Sequence, residues 1–132
     1  MVKESFLKSD VLRKVEYIVC HCVNEAFTAL AMDKYDPVSV STLYNGVTNI
    51  FLTKRLARAV VFIVAHDRFG VPYSVIEKHA GISARNIMNA ARKYKNTPES
   101  DNIVRKINEL IEVELKKFPI VLMIYFLLNV MP

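Results

Sequence analysis

Apolar residues in this chain recur at spacings of three and four, and nowhere do they alternate in twos. From 10 to 32 the stripe is Val11, Leu12, Val15, Ile18, Val19, Cys22, Val23, Ala26, Phe27 and Leu30, the period of one face of a helix. Ile103, Ile107, Leu110, Ile111 and Leu115 repeat it between 100 and 117. Residues 49–69 are apolar all round from Ala59 to Ala65, which places the second half of that helix deep in a core. Only three Gly and five Pro occur among 132 residues, leaving little room for long loops. The pattern predicts an all-α bundle of six to seven helices in a single domain over 1–132. A helical extension is expected over 1–48, a core over 49–117 and an apolar C-terminal helix over 118–132.

Local signals set the expected boundaries. Ser9 or Asp10 can cap the first helix, and "DKYDP" ends it, because Pro37 disfavours a helical Asp36. A short helix is expected over 39–46, started by Ser39 or Ser41 and stopped by Asn45-Gly46. Gly70 closes the 49–69 helix. Two segments follow, 73–80 and 83–95. Pro119 is expected to break the helix that starts near 100. The apolar run from Pro119 to Leu128 is shorter than the roughly 20 residues a bilayer span needs. It reads as a core helix or an oligomer interface rather than a membrane segment, and the first residues, "MVKESFLKSDVLRK", lack the apolar centre of a signal peptide.

The charge is uneven. Between Lys54 and Lys95 lie nine basic and two acidic residues, a net of +7, whereas 1–53 and 96–132 each carry −1. A polyanionic partner fits that asymmetry. Cys20 and Cys22 flank His21, but residues two apart on a helix point to different sides, and no second Cys/His cluster follows. They read as small buried apolar residues of a reducing, cytoplasmic compartment, not as zinc ligands. His66 and Asp67 are adjacent on a helix and do not face one another. His79 reads as a packing histidine. No nucleophile–base set, paired catalytic carboxylates or phosphate loop is visible, so neither an enzyme, a cofactor nor a small-molecule substrate is expected.

The basic region contains "VPYSVIEKHAGISARNIMNAARKYKN", residues 71–96. Its first helix is short. Gly81 permits a left-handed turn, Ile82 can plug the angle between the helices, and Ser83 can cap the second. Val75, Ile76, Ala80, Ile87, Ala90 and Ala91 form the inner sides. Ala84, Arg85, Asn86, Asn89, Arg92 and Lys93 then point outward. These are the parts of a helix-turn-helix. Arg can pair bidentately with guanine and Asn with adenine, while Arg92, Lys93 and Lys95 suit phosphates.

Residues 54–115 resemble the C-terminal DNA-binding domain of the bacterial replication initiator DnaA, of the Trp-repressor-like helical group. "ARAVVFIVAHDRFG" occupies the place of that family's long helix. "VPYSVIEKHAG" is similar to its "LSLPEIGRAFGG", "IMNAARKY" to its "VLHACRKI", and "SDNIVRKINELIEVEL" to its closing helix. The family signature continues Gly-Arg-Asp-His-Thr-Thr, and its His and Thr read bases. This chain has Gly81, Ile82, Ser83, Ala84, Arg85 and Asn86 instead. The resemblance thus implies the fold and a DNA-facing helix, but not the initiator's own binding boxes. It also implies phosphate and minor-groove contacts from the basic start "TKRLAR", at Arg55 and Arg58. No GxxxxGK[ST] loop is present, so the initiator's ATPase domain has no counterpart.

The expectation is a double-stranded DNA-binding protein, a transcription or replication regulator, that docks 83–93 in the major groove. Its DNA-binding residues would be Lys54, Arg55, Arg58, Ser83, Arg85, Asn86, Asn89, Arg92, Lys93 and Lys95. A homodimer through the apolar terminal segments would suit paired half-sites. The alternative is a non-enzymatic protein-assembly module on a DNA-binding-like fold.

Overall fold

The computed structural model describes residues 2–32, 35–46, 52–94 and 98–130, with side chains for 9–32, 35–46, 52–90 and 101–117. Among the described residues the backbone forms five α-helices and no strand. They are α1 (Val2–Ala29), α2 (Leu52–Ile63), α3 (Tyr73–Ala80), α4 (Ala84–Tyr94) and α5 (Pro98–Val130), and a π-helical turn, Val64–Arg68, follows α2 directly. The fold is all-α, as the periodicity requires.

The stripes explain the packing. On α1, Val11, Leu12, Val15, Val19, Cys22, Val23, Ala26 and Phe27 are buried, and on α5 so are Ile103, Ile107, Ile111 and Leu115. These two helices pack on each other, α1 also packs on α2 and α3, and α2 packs on α4. Buried apolar residues from all five helices join one core. Burying each large aliphatic side chain contributes about 1.5–3 kcal/mol, so α1, touching three other helices, is the spine of the molecule. Leu30 and Ile63 are the exceptions to the expected burial, at 39% and 40% exposed.

Four boundaries differ from expectation. First, α1 is helical from Val2 rather than from Ser9 or Asp10; "KESFLK" consists largely of good helix formers and does not need the cap at 9 or 10. Second, α1 stops before "DKYDP". Ala31 takes a left-handed φ of 52°, and Met32 N–H donates to the Phe27 carbonyl at 3.0 Å, a Schellman-type closure.

Third, 39–46 is a pair of turns, not a helix. Thr42 N–H bonds to the Ser39 carbonyl and Asn45 N–H to the Thr42 carbonyl. Ser39 N–H donates to Thr42 Oγ1 at 2.9 Å, the local competition by which Ser and Thr divert a chain from helix. Fourth, the helix does not end at Pro119: α5 runs as one element to Val130. Proline removes one N–H from the ladder, and the surrounding helix absorbs that loss. The last two differences account for five helices where six to seven were expected. No helix among the described residues is long and apolar enough to cross a membrane.

Candidate nucleic-acid interface

The corner between α3 and α4 is built from its sequence in three steps. Gly81 ends α3 at φ 70°, ψ 20°, with its N–H on the Glu77 carbonyl. Ile82 then turns inward and is buried. Ser83 starts α4: its Oγ accepts from Asn86 N–H at 3.2 Å, the expected N-cap. A further contact was not legible in the sequence. The Glu77 carboxylate accepts from Ala84 N–H at 2.7 Å, so a side chain of α3 satisfies a free donor at the start of α4. Both helices are thereby locked to one angle. No spacing rule signals this bond, since it exists only once the turn has brought 77 and 84 together.

Ile87 is buried on α4 as expected, and Ala90 is half-buried. Ala84 is a correction. The helical register of the sequence puts it on the outward side, yet it is buried, because residues 84 and 87 share one helix face and that face meets the core. The outward side therefore begins with Arg85 and Asn86, both exposed together with Ser83 and Asn89. Arg92 and Lys93 lie on α4. Their side chains, and Lys95 entirely, are outside the described residues.

The basic start of α2 divides. Arg55 is half-buried on the rim. Arg58 is only 4% exposed, a correction to its assignment as a surface phosphate contact. Its Nε donates to the Leu43 carbonyl at 2.8 Å, and its Nη2 to the carbonyls of Asn45 and Gly46. Lys54 Nζ also donates to the Asn45 carbonyl, at 3.0 Å. These cations hold the 43–46 turn, whose carbonyls at 43, 45 and 46 have no helix or sheet partner among the described residues. Burial, and next the nearby Arg55 charge, lower the Arg58 pKa; a guanidinium stays charged in proteins all the same.

Between α2 and α4 lies a groove of about 350 Å³, lined by Arg55, Arg58, Ile82, Asn86, Ile87, Asn89 and Ala90. It joins the two helices on which DNA contacts were expected. Behind the corner, Glu16 of α1 is completely buried. His79 Nε2 of α3 lies 3.3 Å from Glu16 Oε2, and the His79 ring meets Tyr44 edge-on at 5.9 Å. Neither carboxylate oxygen of Glu16, nor the Tyr44 hydroxyl, has a hydrogen bond among the described residues. Burial and then the Glu16 carboxylate raise the Tyr44 pKa above its ordinary value. His79 itself is exposed rather than a packed core histidine, and it reaches α1 through the Glu16 contact. His66 stacks on Tyr73 at 3.9 Å and its Nδ1 donates to the Val71 carbonyl, so it braces the link from α2 to α3.

Among the described residues no group of three or more His, Cys, Asp or Glu could hold a metal ion. Cys20 and Cys22 are free and buried. No protein-family model, characterised protein or solved structure matches the chain.

Proposed function

We propose that the chain is a double-stranded DNA-binding protein that regulates transcription or replication in the cytoplasm. In this reading α3 and α4 form a helix-turn-helix, and the first turns of α4 enter the major groove. One observation carries it: Arg85, Asn86 and Asn89 stand exposed on α4, held by a corner fixed through Gly81, Ser83 and Glu77. Burial of that face would instead have favoured an assembly module. The +7 charge of residues 54–95 supplies the sequence-independent part of the attraction. The resemblance of 54–115 to the initiator's DNA-binding domain supports the same reading. The altered "GISARN" argues for a different base preference.

In this reading Arg85, Asn86 and Asn89 read bases. Arg55, Arg92, Lys93 and Lys95 hold phosphates, and Lys54 and Arg58 shape the surface from behind. The proposal includes a homodimer through the apolar terminal segments, so that two copies of α4 read paired half-sites.

The decisive experiment selects bound sequences from a random duplex library at two salt concentrations. Affinity should fall steeply with salt, by a log–log slope of about −0.9 per phosphate contacted. Arg85→Ala should relax the selected sequence, whereas Lys93→Ala should weaken all sequences alike and reduce the slope by about 1. Absence of duplex binding even at low salt ends this reading.

A further inference from the structure

The apolar face of α1 is spent on the core. Its outward face is a stripe of Lys14, Tyr17, His21, Glu25 and Thr28, all exposed at helical spacing. Tyr17 is 67% exposed and Val113 of α5 is 53% exposed, the highest values for large apolar side chains among the described residues. Single exposed apolar residues are ordinary, but these two border one feature. An open groove of about 470 Å³ runs between the helices, with Glu25, Thr28 and Ala29 on one side and Lys106 and Leu110 on the other. Tyr17 stands one turn before His21, which also lines the groove, and Val113 lies three residues past Leu110.

A chain that carries a projecting ring and a groove on one face fits a second copy of itself. Tyr17 and Glu25 lie four residues either side of His21, about 6 Å along the helix in each direction. A two-fold axis at His21, perpendicular to α1, therefore sets each Tyr17 against the partner's Glu25, at the mouth of the partner's groove. The charges obey the same symmetry. Lys14 lies at one end of the stripe and Glu25 at the other, so antiparallel pairing brings unlike charges together and parallel pairing brings like ones. No ion pair has to break for this fit. Glu25 keeps its 3.4 Å contact with His21, and a carboxylate offers about four acceptor sites, enough for the incoming Tyr17 hydroxyl as well. The apolar groups Tyr17, Leu110 and Val113 carry the contact, and the charges fix its register.

We infer that the chain pairs with a second copy through this α1–α5 face, about a two-fold axis at His21, with Tyr17 of each copy in the groove of the other. This gives the proposed homodimer its surface and rests on that reading, but not on DNA binding. Helix α4 packs on α2, and α5 on α1, so the α3–α4 corner is no part of the face. Residues 118–132 carry no charged side chain and add apolar area, while the α1 stripe decides which way round the copies meet.

The test places single cysteines on the full chain and follows oxidation on non-reducing gels, with light scattering for mass. His21→Cys should form an intermolecular disulfide, because the axis brings the two side chains together. Lys14→Cys, about 10 Å from the axis on each copy, should not, and neither should the parent, whose Cys20 and Cys22 are buried. Tyr17→Ala, at an exposed position that leaves the core alone, should raise the dimer Kd at least about 30-fold, the loss of an aromatic anchor. Tyr17→Phe keeps the ring and should lose far less. A dimer that forms without the His21→Cys disulfide, or that is indifferent to Tyr17→Ala, overturns this face and leaves the homodimer reading standing. A monomer at every concentration overturns both. If the disulfide and the Tyr17 effect appear while duplex DNA is not bound, the face stands and the DNA reading falls.

Discussion

Gly81 sets the angle between the two helices that carry the candidate interface. A Cβ there meets nothing within 4 Å, so the cost of Gly81→Ala is the left-handed φ of 70° alone. That conformation costs an L-residue about 1–2 kcal/mol, offset by about 0.4–1 kcal/mol from a less flexible unfolded chain. The expected net loss is about 1 kcal/mol, read as a lower Tm, with Gly81→Asn milder. A loss several times larger would mean a clash that the geometry does not contain. Cys20 and Cys22 give a second prediction at this scale. Burial first, then Glu16 for Cys20 and Glu114 and Glu25 for Cys22, push both thiols from 9.0 up to about 12. A group whose pKa is raised by folding stabilises below its unfolded pKa. This contribution is therefore full below pH 9 and is lost as pH rises toward 12. Urea unfolding at neutral pH and at about pH 10 should show the drop, the unfolded thiol titrating near 8.5–9. The Cys20→Ala, Cys22→Ala double variant should flatten it; an unchanged slope there would put the cause elsewhere.

At the scale of elements, the 35–46 segment shows how a chain stretch without regular structure is held. Asn24 of α1 grips one end: its amide donates to the Val38 carbonyl at 2.7 Å and its Oδ1 accepts from Val38 N–H at 3.0 Å. Arg58 of α2 grips the other through three carbonyls. Arg58→Met keeps the stem and removes the head. It should cost about 2–3 kcal/mol, the worth of hydrogen bonds to a charged group, and open 35–46 to limited proteolysis while helical circular dichroism persists. Arg58→Lys should not rescue it fully, because an ammonium lacks the planar fork. Protection of 35–46 equal to that of the parent would count against the strap. The Glu16–His79 contact links α1 to α3 in the same manner. His79 is partly exposed, its side chain at 38%, so solvent screening limits the pair to about 1 kcal/mol of coupling. A double-mutant cycle with Glu16→Gln and His79→Ala measures it, and additivity of the two changes would remove the pin.

For the whole molecule, the proposed homodimer with paired DNA-reading helices makes a testable prediction. Light scattering should find a dimer, and deletion after Lys117 should return a monomer with the α3–α4 corner intact. Salt dependence of DNA binding should then be steeper for the dimer, since it neutralises more phosphates. Deletion without change in mass would separate the apolar end of α5 from association. The helical class was legible in the sequence, but the number of helices was not. The buried faces of α1 and α5 follow the apolar stripes almost residue by residue, and the Gly81–Ser83 turn follows its turn chemistry. The candidate site was legible in part: Arg85, Asn86 and Asn89 are exposed as their helical position implied, while Arg58 and Ala84 are inside.

The sequence by itself determined that the chain is helical, where its apolar faces run, and that positive charge gathers between 54 and 95. These are local properties, because a helix repeats every 3.6 residues wherever the residues allow it. Only the tertiary structure decided the use of each charge. Arg55 and Arg58 read alike in "TKRLAR". One stands on the rim, and the other is buried because carbonyls 12 to 15 residues earlier come within its reach. A burial of that kind depends on which distant backbone lacks a partner, and no spacing within the helix records it.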